Sequence, residues 1–344
     1  MQEIRYTLIG LGNIGRNLLD ILVHRQAAIE AAYGLRFVLV GAADSSGAAL
    51  DPGGLDPARV RDLKLARQGV SSYPGAGRRG MKALEMLRAV AAEVMVDAAP
   101  TNLRDGEPGL SCTRYALAAG QHVVAADKGP LVLAFGELTE LARRMGRKLY
   151  YSGTVAGGLP TVNLGVRDLA GSGVLRVEGI FNGTTNYILT RMDQEGIPYA
   201  EALAGAQQAG IAEADPTLDV DGWDAANKLV IVANSVLRRP TTLADVQVEG
   251  IRHLTQEDLR RARAQGKVIK LLALAERRGD DYALSVRPTA LPEAHPLART
   301  GLWDMGVVYT TDYMGMISAI IEEKGPVPTS AAVLRDMINI YAAY

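Results

Sequence analysis

The sequence predicts an α/β protein in which a doubly wound parallel sheet with helices on both faces precedes a smaller α+β domain. Three observations carry this reading. Apolar, strand-like runs alternate with helical patterns over residues 1–150. A glycine turn, Gly10-Leu11-Gly12-Asn13-Ile14-Gly15, joins the first apolar run to the first helical pattern. After about Tyr151 the texture changes, and longer strand-like segments follow one another, which implies a second sheet that is at least partly antiparallel. A length of 344 residues exceeds the usual single-domain range and leaves room for both bodies.

Residues 4–9 read as a short buried strand, 14–32 as an amphipathic helix and 36–43 as a second strand ending at Asp44. Two further strands are expected at 94–98 and 122–126, separated by a helix over 109–120. Between 51 and 80 the chain carries Pro52-Gly53-Gly54 and Pro74-Gly75-Ala76-Gly77, which predicts a long loop with one short helix and a mobile tip. Beyond Tyr151, helices are expected at 159–169, 185–194, 199–208 and 223–237, and strands at 174–181, 267–276 and 282–288. An amphipathic helix over 329–344 closes the chain. The expected division is a nucleotide-binding domain over 1–150, a catalytic α+β domain over 151–305 and a C-terminal segment over 306–344.

Composition narrows the function. With 37 basic and 38 acidic residues the formal charge is −1, which argues against nucleic acid or a membrane surface as the general partner. The single cysteine, Cys112, excludes an intrachain disulfide framework and fits a reducing, cytoplasmic setting. The first residues run straight into an apolar strand without the layout of a signal peptide, and the apolar stretches are broken by charge or glycine before they could span a bilayer.

The glycine turn has the G-x-G-x-x-G spacing of a dinucleotide-binding Rossmann unit. Gly10 permits the tight turn, Gly12 lets a pyrophosphate approach the backbone and Gly15 lets helix and strand pack closely. The helix start at Asn13 and Ile14 supplies free N–H groups to the phosphates. Asp44, ending the second strand, stands where an acid holds the adenosine ribose and favours NAD. Ser45 and Ser46 could equally accept the 2′-phosphate of NADP, with Lys64 or Arg67 as counter-charges if the loop folds back. Both cofactors stay open.

A dehydrogenase also needs a proton relay. His24, His122, His253 and His295 are scattered and belong to no motif, so lysine is the better candidate. Lys128, in Ala126-Asp127-Lys128-Gly129-Pro130, follows the fourth strand candidate, where ligands gather in open α/β sheets. The densest charged segment runs from Glu213 through Asp215, Asp219, Asp221 and Asp224 to Lys228. Asp224 and Lys228 are four apart on one helix face, so an ordinary surface ion pair is one account of them. A pocket for an amino-acid substrate is the other, with carboxylates for the ammonium and a lysine for the proton.

These segments resemble the homoserine dehydrogenase family, in its short form without a regulatory domain. The resemblance runs along most of the chain: residues 10–15, Ala43-Asp44-Ser45-Ser46-Gly47, Pro100-Thr101-Asn102-Leu103, residues 122–130, Thr154-Val155-Ala156-Gly157-Gly158-Leu159-Pro160, Phe181-Asn182-Gly183-Thr184-Thr185-Asn186, residues 210–228 and the closing helix near Pro328 to Asp336. It implies reversible reduction of aspartate 4-semialdehyde to homoserine with NADP or NAD. Lys128 and Lys228 would be the proton-transfer and carbonyl-polarising pair. Glu213 and Asp219 would bind the substrate, Asp224 would orient Lys228, Gly183 and Thr184 would line the pocket, and Thr101 and Asn102 would lie along the nicotinamide ribose. It further implies a Rossmann domain completed by the C-terminal helix, a central sheet that forms a homodimer, and no regulation by threonine.

Three departures are visible. The family usually has Asn before the loop lysine, and this chain has Asp127. A monovalent-cation site would use the backbone carbonyls of Val155, Gly157 and Leu159, but Ser152 stands where the family has a glutamate. Before the final helix, Gly325-Pro326-Val327-Pro328 replaces a Gly-Ala-Gly turn. Three alternatives follow: the same fold acting on another small amino or hydroxy acid, a thioester-type aldehyde dehydrogenase using Cys112, and a nucleotide-binding protein without catalysis.

Overall fold

The structure is a computed structural model in which residues 1–342 are described. It divides into two compact units, Met1–Gly158 with the chain from Pro326 onward, and Leu159–Gly325.

The first unit holds strands β1 (Gln2–Ile9), β2 (Leu35–Asp44), β3 (Gly47–Leu50), β4 (Gly77–Arg79), β5 (Val94–Asp97), β6 (His122–Ala125) and β7 (Leu149–Tyr150). They form one sheet in the order β4-β3-β2-β1-β5-β6-β7. The pairs among β2, β1, β5, β6 and β7 are parallel, while β3 and β4 add antiparallel at one edge. In β1, Ile4, Tyr6 and Leu8 are fully buried, as expected of a central parallel strand covered on both faces. The chain moves from β1 to β2 on one side and later to β5 on the other, so a crevice opens at the carboxyl end of β1.

Helix Asn13–Tyr33 buries Leu18, Leu19, Leu22 and Ile29 at helical spacing against this sheet. The closing helix, Val327–Tyr341, contributes Val333, Leu334, Met337 and Ile338 to the same core. Its Ser330 hydroxyl donates to the carbonyl of Ile14 at 2.9 Å, tying the last helix to the start of the first. Residues 343 and 344 of the expected closing helix lie outside the described residues.

Residues 51–80 correct the expectation of a long loop. Helix Pro57–Leu65 is there, capped by the Asp56 carboxylate, which accepts from the Ala58 N–H at 2.9 Å. β4, however, closes this segment onto β3, and a short 3-10 turn at Val70–Ser72 lies between. The Pro and Gly clusters mark turns between these short elements rather than one unstructured span.

The second unit carries β8 (Val174–Ile180), β9 (Val246–Val248), β10 (Lys267–Arg278), β11 (Asp281–Pro292), β12 (Asp304–Thr311) and β13 (Met316–Glu322), in the order β13-β12-β8-β10-β11-β9. All pairs are antiparallel except β11 with β9. The expected boundary after residue 305 is therefore corrected. β12 and β13 belong to this sheet, because the β-branched run Val307-Val308 pairs with β8 and returns through a turn at Gly315. Only the chain from Pro326 returns to the first unit.

Helix Gly183–Glu195 is clamped to this sheet by a buried lysine. Lys270 on β10 donates to Asn186 Oδ1 at 2.8 Å, Thr190 Oγ1 at 2.9 Å and the Thr300 carbonyl at 3.1 Å. Burial lowers its pKa to about 8. That clamp matters because the start of this helix carries part of the site described next.

Candidate active site

One candidate site lies in the first unit, where Gly10 follows β1 with φ of +87°. A Cβ there would meet the Ala98 carbonyl oxygen at 2.2 Å and the Ala99 nitrogen at 2.5 Å, so the turn runs directly against the segment leaving β5. A Cβ on Gly15 would stand 2.1 Å from the Gly10 carbonyl oxygen, which is the close helix–strand packing expected of the third glycine. Gly12 has open space on its side-chain side and no side chain capping the helix it precedes. The N–H groups of Asn13, Ile14 and Gly15 form the first turn there, where a helix offers donors and partial positive charge. A cavity of about 800 Å³ extends from this turn, with Gly10, Gly12, Asp44, Ser45, Lys64 and Pro100 among its walls. Its size and its glycine mouth suit a dinucleotide.

Asp44 is more heavily engaged than its sequence position suggests. Its Oδ1 accepts from the Ser46 N–H at 2.8 Å and the Ser46 hydroxyl at 2.6 Å. Its Oδ2 accepts from Lys64 Nζ at 2.5 Å and the Val70 N–H at 3.1 Å. Burial alone would raise this carboxyl, but Lys64, Ser46 and Val70 together hold it below the usual carboxylate range. Helix Pro57–Leu65 folds back far enough to deliver Lys64, and Ser46 is consumed by Asp44 rather than left free for a phosphate.

A second candidate site lies in the second unit. Asn182 caps helix Gly183–Glu195, its Oδ1 accepting from the Thr185 N–H at 2.8 Å. The same side chain turns its Nδ2 to two carboxylates, Asp219 Oδ1 at 2.7 Å and Asp224 Oδ2 at 2.9 Å. The Thr184 hydroxyl donates to Asp219 Oδ2 at 2.8 Å. Asp224, in the first turn of helix Trp223–Ser235, also accepts from Lys228 Nζ at 2.7 Å, and Lys228 donates to the Phe181 carbonyl at 2.5 Å. The Lys228 and Asp224 side chains are only 13% and 14% exposed, so the solvated surface pair is the wrong account of them. Burial, then the neighbouring Asp224 charge, raises the Asp219 carboxyl, while Thr184, Asn182 and Lys228 oppose that rise. Gly183 has open space where a Cβ would stand, at the mouth of this network.

A family profile described as homoserine dehydrogenase matches residues 144–338, a span that includes the whole second network. A homoserine dehydrogenase of Methanocaldococcus jannaschii is 37% identical over 334 residues, covering 97% of both chains. An NAD(+)-dependent homoserine dehydrogenase of Pseudomonas canavaninivorans is 35% identical and covers 99% of this chain and 97% of its own. The solved homoserine dehydrogenase of Thiobacillus denitrificans superposes with a TM-score of 0.85 at 30% identity, covering 99% of this chain and 74% of that one.

The chain belongs to the homoserine dehydrogenase family.

Among homoserine dehydrogenase residues expected from the sequence, Asp219, Asp224, Lys228 and Thr184 come together, and Gly183 adjoins them. Glu213 does not join. It stands exposed, and its carbonyl accepts from Gln207 Nε2 at 3.2 Å. In the first unit Lys128 is half-buried at the start of helix Gly129–Arg144, and its N–H donates to the Thr101 hydroxyl at 3.4 Å. The Asn102 side chain closes its own loop, donating to Asp105 Oδ1 at 2.7 Å and the Glu107 carbonyl at 3.1 Å. Asn182 and the Phe181 carbonyl were not singled out as site groups by the sequence. The signal available for Asn182 was its helix-capping position beside Gly183.

Ser152, which stands where the family has a glutamate for a cation, is engaged by the closing helix instead. Ser152 N–H and Oγ both donate to Asp336, at 2.8 and 2.7 Å. Arg335 donates to Ser152 Oγ at 3.0 Å and to the Gly158 carbonyl at 3.4 Å, so the loop is braced by an arginine and a carboxylate of the closing helix. The Leu159 carbonyl accepts from the Thr161 N–H at 2.8 Å. Among the described residues no cluster of His, Cys, Asp or Glu could hold a metal ion. Turnover is therefore expected to agree within about twofold in potassium, sodium and tetramethylammonium buffers at one ionic strength. A dependence on potassium or sodium of tenfold or more would contradict this assignment.

Cys112 is fully buried in helix Gly109–Ala118, and burial, then the Asp97 and Glu107 charges, pushes its thiol up to about 12. A buried thiol raised in this way is a weak nucleophile at neutral pH, which argues against the thioester-type alternative. No helix among the described residues is long and apolar enough to cross a membrane.

Proposed function

We propose that this chain interconverts L-homoserine and L-aspartate 4-semialdehyde reversibly, as a member of an NAD(P)-dependent oxidoreductase family, with Lys228 and Lys128 managing the proton. The observation that carries the reading is the buried network in which Asn182 joins Asp219 and Asp224 while Asp224 and the Phe181 carbonyl hold Lys228.

Gly10, Gly12 and Gly15 would admit the dinucleotide, the N–H groups of Asn13 and Ile14 would face its phosphates, and Asp44 and Ser45 would border the adenosine ribose. Thr101 and Asn102 would flank its nicotinamide end. When bound, the cofactor supplies the two-electron hydride acceptor or donor. The chain supplies the rest. In the reducing direction a lysine ammonium polarises the aldehyde oxygen and gives it a proton; in the oxidising direction the neutral amine takes the hydroxyl proton. Asp224 keeps Lys228 Nζ in one place, so little ordering remains for the transition state. Asp219, steadied by Thr184 and Asn182, would receive the substrate ammonium beside Gly183, with Glu213 closing over it from its exposed loop.

The single buried cysteine suits a cytoplasmic enzyme of amino-acid biosynthesis feeding threonine and methionine, and the long antiparallel second sheet suits a homodimer. The substrate assignment is tested by comparing L-homoserine with 4-hydroxybutanoate, which lacks the ammonium. L-homoserine should be oxidised with kcat/KM at least a hundredfold higher. Equal use of both, or oxidation of another hydroxy acid alone, would favour the reading in which the same fold serves a different substrate.

Cofactor choice follows from Asp44 and Lys64. Because Lys64 neutralises the carboxylate, both NAD and NADP should be accepted. Lys64→Ala is expected to raise the KM for NADP at least tenfold by exposing the Asp44 charge to the 2′-phosphate, with the KM for NAD changed less than threefold. Equal changes for both cofactors would show that Lys64 only holds the loop.

A further inference from the structure

Two buried aspartates meet next to Lys128. Asp97 is the last residue of β5, and Asp127 follows the end of β6. The strands are paired in parallel with Asp97 opposite Ala125, and the Ala126 and Asp127 N–H groups both donate to the Asp97 carbonyl, at 2.7 and 3.3 Å. The two side chains are 0% and 1% exposed. Each uses one oxygen locally: Asp97 Oδ1 accepts from the Ala99 N–H at 3.1 Å, and Asp127 Oδ1 from the Gly129 N–H at 2.9 Å. The two Oδ2 atoms are buried without a donor. Both stand 2.6 Å from the point a Cβ on Gly109 would occupy, so they border one small space against the start of helix Gly109–Ala118.

Two ionised carboxylates bordering one dry space repel, and neither can give the other a hydrogen bond. A single proton removes both faults, since the protonated oxygen then donates to the ionised one. Among the described residues, Lys128 on the adjoining turn and the Thr101 hydroxyl act on Asp127, and the Cys112 thiol of helix Gly109–Ala118 lies near Asp97, with Glu107 acting on that thiol in turn. Burial raises both carboxyls, and the Asp127 charge raises Asp97 further. The Gly129 N–H, the Thr101 hydroxyl and Lys128 pull Asp127 back only in part.

We propose that Asp97 and Asp127 share one proton between their Oδ2 atoms, and that this acid pair is a positioning element that sets how much negative charge lies against Lys128. With the proton in place the pair carries one negative charge; without it, two. An asparagine at 127, the usual family residue, would donate permanently through its amide. Aspartate donates only while protonated, so in this chain the environment of Lys128 is titratable. The functional part of this inference rests on the role given to Lys128 above.

Infrared spectroscopy of the cofactor-free protein tests the shared proton without substrate. The parent should show a protonated-carboxyl stretch that shifts in deuterium oxide and persists above the ordinary aspartate titration range. Asp97→Asn and Asp127→Asn should each abolish it. In denaturant titrations the sign is also fixed. A carboxyl whose folded pKa is raised gives stability at low pH that is lost as pH climbs from the unfolded value through the folded one. The parent should therefore lose stability over that window, and Asp127→Asn should lose less. The pH profile of kcat/KM should lose one ionisation in Asp127→Asn. Absence of the band in the parent, or its survival in both variants, would overturn the shared proton. An unchanged pH profile with the band correctly lost would overturn the link to Lys128, and neither result depends on which hydroxy acid is turned over.

Discussion

Replacing Lys228 with methionine is expected to lower kcat by about 10²–10⁴-fold, the usual contribution of a positioned general acid or base. The protein should remain folded. Methionine keeps the length of the side chain along helix Trp223–Ser235, whose inner face is packed by Ala225, Ala226, Leu229 and Val230. The substitution removes the ammonium at 2.7 Å from Asp224, which keeps the Asn182 donor at 2.9 Å. A stability loss of about 1–3 kcal/mol is therefore expected from the partly buried carboxylate. Steady-state kinetics with thermal melting separates the two effects. Loss of turnover with cofactor affinity retained within threefold is the predicted pattern. A Lys228→Met protein within threefold of the parent's kcat would remove Lys228 from the chemistry and leave the ion pair as architecture.

Gly10→Ala is the second large effect, and it acts on the glycine turn of the first unit. The new methyl group would sit 2.2 Å from the Ala98 carbonyl oxygen, and the backbone there has φ of +87°, which alanine adopts only under strain. The obstacle is backbone, so no side-chain rotation relieves it, and the turn must move away from the segment after β5. That movement displaces Gly12 and the first turn of helix Asn13–Tyr33. A cost of about 1–3 kcal/mol in stability is expected, with at least a tenfold loss of NAD(P) affinity by titration calorimetry. Gly12→Ala should be much milder for folding, because nothing lies within 4 Å of its Cβ position, yet it should still weaken cofactor binding by filling the approach to the backbone. Equal effects of the two substitutions on melting temperature would contradict this division.

The parts of the molecule that were legible in the sequence share a physical reason. The glycine turn can be read because backbone geometry at three positions restricts residue type directly. Helix Trp223–Ser235 can be read because its apolar period is strong, and Asp224 and Lys228 fall one turn apart on it. What was not legible depends on partners far apart in the chain. Asp219 and Asp224 meet through Asn182, some forty residues earlier, and no spacing rule announces that one amide serves both. Asp97 ends a short strand and carries no motif; its significance exists only because β5 and β6 pair and set it beside Asp127. Likewise Ser152 read as a missing ligand, whereas the structure gives it Asp336 and Arg335 from the closing helix. The boundary at residue 306 failed because β12 and β13 were absent from the predicted strands, although Val307, Val308, Ile317, Ile320 and Ile321 have the composition of strands.

The central claim is that two sites, one for a dinucleotide and one for a small amino acid, serve a single oxidoreduction. It is tested most directly by following nicotinamide reduction when L-homoserine is added to the purified protein with NAD or NADP, and its oxidation when L-aspartate 4-semialdehyde is added to the reduced cofactor. The account predicts turnover in both directions with at least one cofactor, abolished in Lys228→Met. Tight cofactor binding without turnover of either compound would contradict it and leave a nucleotide-binding protein whose acidic network serves another end.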